Sequence, residues 1–189
     1  MKRPAIGLLV LAILPGAAYC ADLREIRVDY DGDVYSVDSS VWFAASQQAV
    51  FEVFSDWDLS EQFSSAIVES RNLGPDANGR YGYYVRNRGC ILFFCRSVER
   101  TGTVERQPLT RLRAVADPDK SDFALSDERW TFEAEDGGTL VHYRLRLKPD
   151  FWVPPVIGPW AIKHKLRDDG GEALDRIEAI ARARAAANG

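Results

Sequence analysis

The order of periodic patterns along this chain is the feature that most constrains its fold. A short amphipathic helical segment near the front is followed by alternating strand segments, and the chain closes with one long helical stretch. A period of two predicts strands with one buried face, whereas an apolar stripe at helical spacing predicts a helix that lies on an apolar surface. The order therefore indicates an antiparallel sheet wrapped around the last helix, with an apolar space between them.

The first residues have the features of a secretory signal peptide. Lys2 and Arg3 precede an apolar run over 6–14, and small residues follow it. This run is shorter than the about 20 apolar residues that a membrane-spanning helix needs. We therefore predict that residues 1–21 are removed, that the protein is secreted into the periplasm, and that 22–189 form the mature domain.

Charge and length narrow the possible functions of that domain. Without Lys2 and Arg3 the chain keeps 22 basic against 28 acidic residues, a net charge of −6. Nucleic-acid-binding proteins present a basic surface, so this balance argues against a nucleic-acid partner. The length suits one domain with a substantial core, and no repeat or linker divides it.

The front of the mature domain predicts a hairpin followed by two short helices. The segments 24–30 and 34–43 alternate on either side of an Asp31-Gly32 turn signal. Ser46 then stands at an N-cap position before apolar residues at helical spacing. A second, shorter helix is predicted over 59–63.

The central region predicts further antiparallel strands, because turn signals divide it at 74–79, 107–108, 117–119 and 135–138. In three of the strands alternate apolar residues share one face: Leu112, Ala114 and Ala116; Trp130, Phe132 and Ala134; and Val141, Tyr143, Leu145 and Leu147. The opposite faces carry charged side chains, many of them arginine. The sheet is therefore predicted to have one apolar and one solvated face.

The end of the chain predicts one long helix. Prolines at 149, 154 and 155 prevent the sheet from continuing. An apolar stripe then recurs at helical spacing, formed by Ile162, Leu166, Gly170, Leu174, Ile177 and Ala181. Its glycines indicate either a kink or a close approach to the sheet or a ligand, with plain packing as the alternative.

With these patterns the chain resembles the START-like superfamily often called SRPBCC, which includes polyketide cyclases and coenzyme Q-binding START-like proteins. The resemblance rests on the strand layout, on the helix-to-helix passage 50–58, on Trp130-Thr131-Phe132 followed by 138–143, and on the proline-broken entry to the last helix. It implies an α+β helix-grip fold, in which a seven-stranded curved antiparallel sheet wraps around a long C-terminal helix, with two short helices after the first strand. It also implies a cavity for a lipid, quinone or polyketide-like molecule, without naming the ligand.

Alternation and the helical stripe together predict which side chains line such a cavity. From the sheet and the last helix they are Tyr83, Val85, Leu112, Trp130, Phe132, Tyr143, Leu145, Ile162, Leu166 and Leu174. The same residues would equally form a filled core. Asn87 and Glu128 are possible polar groups in the cavity, where Glu128 could orient a ligand or act as an acid or base. Its position near a strand end is also consistent with a solvated residue at the rim.

Cys90 and Cys95 are predicted to form a disulfide, since an exported chain meets an oxidising compartment. Along one straight strand they would be too far apart to bond, so the bond requires a hairpin. Its strands would cover 81–89 and 96–106, with the apolar residues 91–94 at the tip. Two buried free thiols are the alternative.

The apolar hairpin tip should be covered by something. The candidates are the cavity mouth, a membrane surface and a protein partner, and burial against the chain's own helices is the favoured alternative. Transient contact with a membrane would use two apolar segments, formed by Ile91, Leu92, Phe93, Phe94, Phe151 and Trp152.

Motifs for catalysis and metal binding are missing from the sequence. His142 and His164 lie among basic residues on polar faces, and there is no GxSxG elbow, HxxxH pair or phosphate-binding glycine loop. We therefore predict no catalytic residue, metal site or cofactor, and favour binding of an apolar molecule without chemistry. A cyclase or aromatase that uses Glu128 and Tyr143, and a protein-interaction module with a filled core, are the alternatives.

Overall fold

The computed structural model describes residues 21–91, 94–153 and 158–187. The predicted signal peptide, apart from Ala21, lies outside the described residues. The strands are β1 Asp22–Asp31, β2 Val34–Phe43, β3 Ile67–Leu73, β4 Tyr81–Ile91, β5 Phe94–Gln107, β6 Arg111–Ala116, β7 Phe123–Glu135 and β8 Gly138–Pro149. The α-helices are α1 Gln47–Ser55 and α2 Gly158–Ala187, and 3₁₀-helices cover Trp57–Gln62 and Pro118–Lys120.

The eight strands form one antiparallel sheet in the order β1-β2-β8-β7-β6-β5-β4-β3. Because β2 pairs with β8, the first hairpin joins the last strand in mid-sheet. The α+β helix-grip fold is confirmed, although the resemblance implied seven strands and helices after the first of them. The additional strand is β1, so the two short helices follow the second strand.

The core lies on one face of the sheet, where α1 and α2 pack. Its largest group of buried side chains combines residues from α1, the sheet and α2, including Phe43, Val50, Val53, Val85, Leu112, Phe132, Val141, Ile177 and Ala181. Full burial of such a side chain stabilises a fold by about 1.5–3 kcal/mol. Because the sheet curves around this core, we call its inner side the concave face and its solvated side the convex face.

Side-chain hydrogen bonds cap helix α1 and fix the following 3₁₀-helix to β3. Helix α1 begins at its predicted N-cap, where the Ser46 hydroxyl accepts a hydrogen bond from the Ala49 amide at 3.4 Å. In the next helix, the Trp57 amide donates to Asn72 Oδ1 at 3.3 Å, and the Asn72 amide donates to Asp58 Oδ1 at 2.8 Å. The predicted second helix therefore exists as the 3₁₀-helix Trp57–Gln62, and Asn72 fixes the position of its first residue.

Strands β5 and β6 approach each other unusually closely at Gly102. A Cβ atom built there would lie 2.0 Å from the Val115 carbonyl oxygen, so only glycine fits without a backbone shift. Gly102 faces the concave side together with Ala114 and Ala116 of β6, both of which are buried. These small residues leave room above the middle of the sheet for long side chains from β5 and β7.

Among the residues that the structure describes, no helix is both long enough and apolar enough to cross a membrane.

Candidate ligand-binding site

A charged pair lies inside the concave face. The Arg100 guanidinium on β5 forms an ion pair with the Glu128 carboxylate on β7, and the two side chains are only 15% and 8% exposed. Removing such charges from water costs several kcal/mol per ion, which pairing offsets only when the geometry is good. This pair is therefore the feature of the interior that core packing alone explains least.

Two further polar side chains complete the group that we call the Arg100 cluster: Arg100, Glu128, Tyr143 and Asn87. The Tyr143 hydroxyl donates a hydrogen bond to Glu128 Oε2 at 2.9 Å, while Arg100 binds Oε1. Arg100 Nη2 also lies 3.5 Å from Asn87 Oδ1. Each oxygen of the Glu128 carboxylate thus has a donor, as a buried charge requires.

Burial and charge keep Tyr143 and Arg100 protonated. Burial, together with the neighbouring Glu128 charge, raises the pKa of the Tyr143 hydroxyl well above its usual value. Burial alone would lower the pKa of Arg100, but the attraction of Glu128 outweighs it, so the pKa of Arg100 is raised. Tyr143 therefore stays a hydrogen-bond donor, and Arg100 stays charged, throughout the physiological range.

Strand register explains how residues distant in sequence meet here. Tyr143 stands opposite Trp130, and Glu128 lies two residues before Trp130 on the same face of β7. Strand β6, which separates β5 from β7, ends at Ala116, and Ala116 is paired with Gly102. Arg100 lies beyond that pairing, whereas Glu128 is paired with Ala114 of β6, so the long Arg100 side chain reaches Glu128 across the small residues at the end of β6.

Aromatic rings surround the cluster. Trp57 stacks on Tyr83 with their ring centroids 4.4 Å apart, and Trp130 lies 5.2 Å from Tyr143 by the same measure. The rings of Trp57 and Trp130 meet edge to face at 6.3 Å. Tyr143, which binds Glu128, thus belongs to a connected group of aromatic rings, and aromatic surface is typical of sites that bind largely apolar molecules.

Three buried polar atoms at this face make no hydrogen bond with any described residue. They are the Tyr83 hydroxyl, Trp57 Nε1 and the Ser126 hydroxyl. Burial raises the pKa of Tyr83, an effect that the Arg100 charge opposes and the Glu128 charge reinforces. The Tyr83 hydroxyl is therefore protonated and lies within electrostatic reach of the charged pair.

Most side chains predicted to line the cavity face the concave side. Tyr83, Val85, Leu112, Trp130, Phe132 and Leu145 are buried, Tyr143 is half-buried, and Leu174 packs partly buried against the same core. The side chains of Ile162 and Leu166 lie outside the described part of the structure. Whether any of these residues binds a ligand stays a prediction.

The polar candidates Asn87 and Glu128 both belong to the Arg100 cluster. Glu128 is 6% exposed, so it is not the solvated rim residue that the sequence allowed as the alternative. Sequence reasoning missed Arg100 and Trp57 as site residues. Arg100 shares the inward parity of Gly102 and Val104, and this alternation was the available signal.

The predicted disulfide between Cys90 and Cys95 is present, joining residues directly opposite each other on β4 and β5. The strands extend further than predicted, so that Ile91 and Phe94 pair and only residues 92–93 separate them. Leu92 and Phe93 lie outside the described residues, as do the side chains of Ile91 and Phe94. The covering of the hairpin tip therefore stays a prediction.

The segment after β8 lies beside this hairpin. The Arg96 guanidinium, next to the disulfide, sits 4.1 Å from the centroid of the Phe151 ring, and Phe151 also packs on Phe123. Trp152 is 78% exposed. The segment after β8 thus lies against β5 next to the disulfide, a proximity that the sequence could not establish.

The histidines lie apart from the Arg100 cluster. His142 is exposed on the convex face, and His164 is exposed on α2 with its ring stacked on Trp160. Within the described residues, no group of three or more His, Cys, Asp or Glu side chains is arranged to hold a metal ion.

Comparison with known families shows to which family this chain is related. A family model described as polyketide cyclase/dehydrase and lipid transport matches residues 35–182. The chain belongs to this family. The matched residues include the whole Arg100 cluster. The match also confirms the resemblance to START-like proteins. No match was found among curated proteins.

Solved structures share the fold of this family member at low sequence identity. A START superfamily protein from Mycobacterium smegmatis has a TM-score of 0.59 at 18% identity, over 77% of this chain and 98% of that one. The Zhui aromatase/cyclase from a Streptomyces species has a TM-score of 0.62 at 13% identity, over 80% and 95%. A STAR-related lipid transfer protein from Xanthomonas axonopodis has a TM-score of 0.60 at 17% identity, over 83% of this chain and 98% of that one. At these identities the likeness concerns the fold alone.

Proposed function

We propose that this protein binds an apolar small molecule, a lipid, quinone or polyketide-like compound, between the concave face and α2, without changing it chemically. The observation that carries the proposal is the Arg100 cluster inside an apolar core. A buried ion pair stabilises a fold no better than apolar side chains of similar volume, so stability alone does not account for it. As the polar end of a ligand site it would orient a molecule held mainly by burial, at about 25 cal/mol per Å².

The same geometry supports binding over catalysis. Both oxygens of the Glu128 carboxylate are engaged, one by Arg100 and one by Tyr143. Tyr143 holds its proton, because burial raises its pKa. Neither group is ready to remove a proton from a substrate. A cyclase-type enzyme is the second candidate, since the family description includes polyketide cyclases and dehydrases.

We also propose that the protein works in the periplasm and contacts a membrane when it exchanges its ligand. The disulfide between Cys90 and Cys95 supports an oxidising compartment. The exposed Trp152 beside the disulfide hairpin supports contact with lipid, because tryptophan favours the interface between a bilayer and water.

The first test is native mass spectrometry of the protein isolated from periplasm, followed by organic extraction of whatever co-purifies. A stoichiometric apolar molecule is expected. A protein that arrives empty, and stays empty when offered lipids and quinones, would favour the interaction module with a filled core.

A triple variant, Arg100→Met with Glu128→Leu and Tyr143→Phe, tests the role of the cluster. Since all three partners become apolar together, the free energy of unfolding should change by less than about 2 kcal/mol. The affinity for the extracted molecule should fall at least about tenfold. The control replaces the exposed convex pair, Asp38→Asn with Arg144→Gln, and should leave affinity unchanged.

Full affinity in the triple variant would remove the cluster from the site. If the protein converted the ligand chemically, and Glu128→Gln abolished this conversion without loss of binding, the protein would be an enzyme and not a carrier.

A further inference from the structure

Two buried donors on one stacked pair of rings lack a partner. Tyr83 is fully buried and Trp57 is 6% exposed, yet neither the Tyr83 hydroxyl nor Trp57 Nε1 makes a hydrogen bond with any described residue. The large majority of buried side-chain polar atoms in native proteins are paired, and leaving one unpaired costs about 1–3 kcal/mol. Two such donors on one stacked pair of rings, with the ring centroids 4.4 Å apart, therefore indicate that an acceptor is accommodated beside this pair.

The fold holds both rings in position. Asn72 stands opposite Tyr83 on the neighbouring strand β3, and its side chain accepts a hydrogen bond from the Trp57 amide while donating to Asp56 at 2.9 Å. On the other side, Tyr83 stands opposite Gly102, where no larger residue fits. One asparagine and one glycine thus fix the stacked pair between β3 and β5. The two donors are positioned by the backbone rather than left over by loose packing.

The charge around these donors is balanced. Arg100 and Glu128, which lie within electrostatic reach of the Tyr83 hydroxyl, neutralise each other through their ion pair. A ligand carboxylate placed here would add an unbalanced buried charge, which is far more costly than a buried neutral group. A neutral carbonyl oxygen would accept a hydrogen bond here without adding charge.

We propose, resting on the proposed function, that Tyr83 and Trp57 form a subsite for one neutral carbonyl oxygen of the apolar ligand. The ligand class is then an apolar ketone, quinone or ester rather than a free fatty acid or a plain hydrocarbon. Tyr83 and Trp57 bind this oxygen, and the Arg100 cluster sets the neutral surroundings that select it.

Three probes of equal chain length separate these classes: methyl tridecyl ketone, pentadecane and pentadecanoate. Their dissociation constants are measured by displacement of a bound fluorescent apolar dye from the full-length protein, at a pH where the carboxylate is ionised. The wild-type protein should bind the ketone about tenfold or more tightly than either other probe, since a hydrogen bond in a buried site contributes about 1 kcal/mol and two act together.

Tyr83→Phe removes one donor and keeps the ring. It should weaken ketone binding about fivefold and leave alkane binding unchanged, while protein stability is kept or increased because an unpaired hydroxyl is gone. Trp57→Phe should lower the preference for the ketone in the same direction. The control is Tyr84→Phe, since Tyr84 lies on the opposite face of β4 beneath Arg71 and should leave all three constants unchanged.

Each outcome decides between the two proposals. If ketone and alkane bind equally and Tyr83→Phe changes nothing, the subsite is absent while apolar binding stands, and the unpaired donors bind water. Tightest binding of the carboxylate would overturn the neutral subsite. Displacement by none of the three probes would overturn the subsite and the proposed function together.

Discussion

At the scale of single residues, Asp127 illustrates how a charge is stabilised on the solvated face of this sheet. Its carboxylate receives paired hydrogen bonds from Arg113, at 3.1 and 3.0 Å, and from Arg129, at 3.1 and 2.7 Å. Burial alone would raise the pKa of Asp127, but the two guanidinium groups outweigh it and lower the pKa from 3.8 to about 2. The ionised form is therefore favoured by folding.

Asp127→Asn should accordingly destabilise the protein by about 1–2 kcal/mol near neutral pH, less than the full shift implies because Arg129 is largely exposed. A carboxyl group whose pKa is lowered by folding stabilises the protein at pH values above its unfolded pKa of 3.8. That stability is lost as the pH falls toward about 2. Urea unfolding at several pH values should show that the difference in unfolding free energy between the wild type and Asp127→Asn shrinks over this pH range. Asp38→Asn, in an exposed pair, should cost less than about 1 kcal/mol. A difference for Asp127→Asn that is independent of pH would contradict the electrostatic account.

The residues of the candidate site show what alternation along a strand can and cannot predict. It placed Tyr83, Trp130 and Tyr143 on the inner face, because that assignment needs only the parity within each strand. The burial of Glu128 depends on Arg100, which lies 28 residues away on a strand that is not adjacent to β7 and reaches it across β6. No single-strand pattern contains that contact.

At the scale of secondary-structure elements, the pairing of β5 with β6 depends on Gly102. A methyl group there would collide with the Val115 carbonyl at 2.0 Å, so Gly102→Ala must displace one of the two strands. We expect a loss of about 3 kcal/mol in the free energy of unfolding, as for overpacking of a tight core. Since Arg100 lies two residues away, ligand affinity should fall as well.

Chemical unfolding of Gly102→Ala beside Gly74→Ala provides the measurement. A Cβ atom at Gly74 meets nothing within 4 Å, so that control should stay within about 0.5 kcal/mol of the wild type. Equal stability of the two variants would mean that β5 and β6 do not approach as closely as described.

At the scale of the whole molecule, the layout of strands and helices followed from the sequence, because period, turn residues and caps are local signals. The joining of β2 to β8 and the meeting of the disulfide hairpin with Phe151 are long-range contacts, which local patterns do not contain. Phe151 shows the consequence. The sequence proposed it for membrane contact together with Trp152, but the Arg96 guanidinium covers its ring and leaves Trp152 as the exposed side chain.

The membrane proposal therefore predicts a strong effect at Trp152 and a weak one at Phe151. Trp152→Ala should weaken binding to neutral phosphatidylcholine vesicles about five- to tenfold in a sedimentation assay, because the indole ring contributes apolar area and an interfacial hydrogen bond. Phe151→Leu, beneath Arg96, should change binding less than about twofold. Tyr81→Ala, which removes a side chain 52% exposed at the opposite end of β4, should not change it. If Tyr81→Ala and Trp152→Ala weakened vesicle binding equally, the protein would adsorb without a preferred end. Ligand exchange would then not proceed through the end that carries the disulfide hairpin.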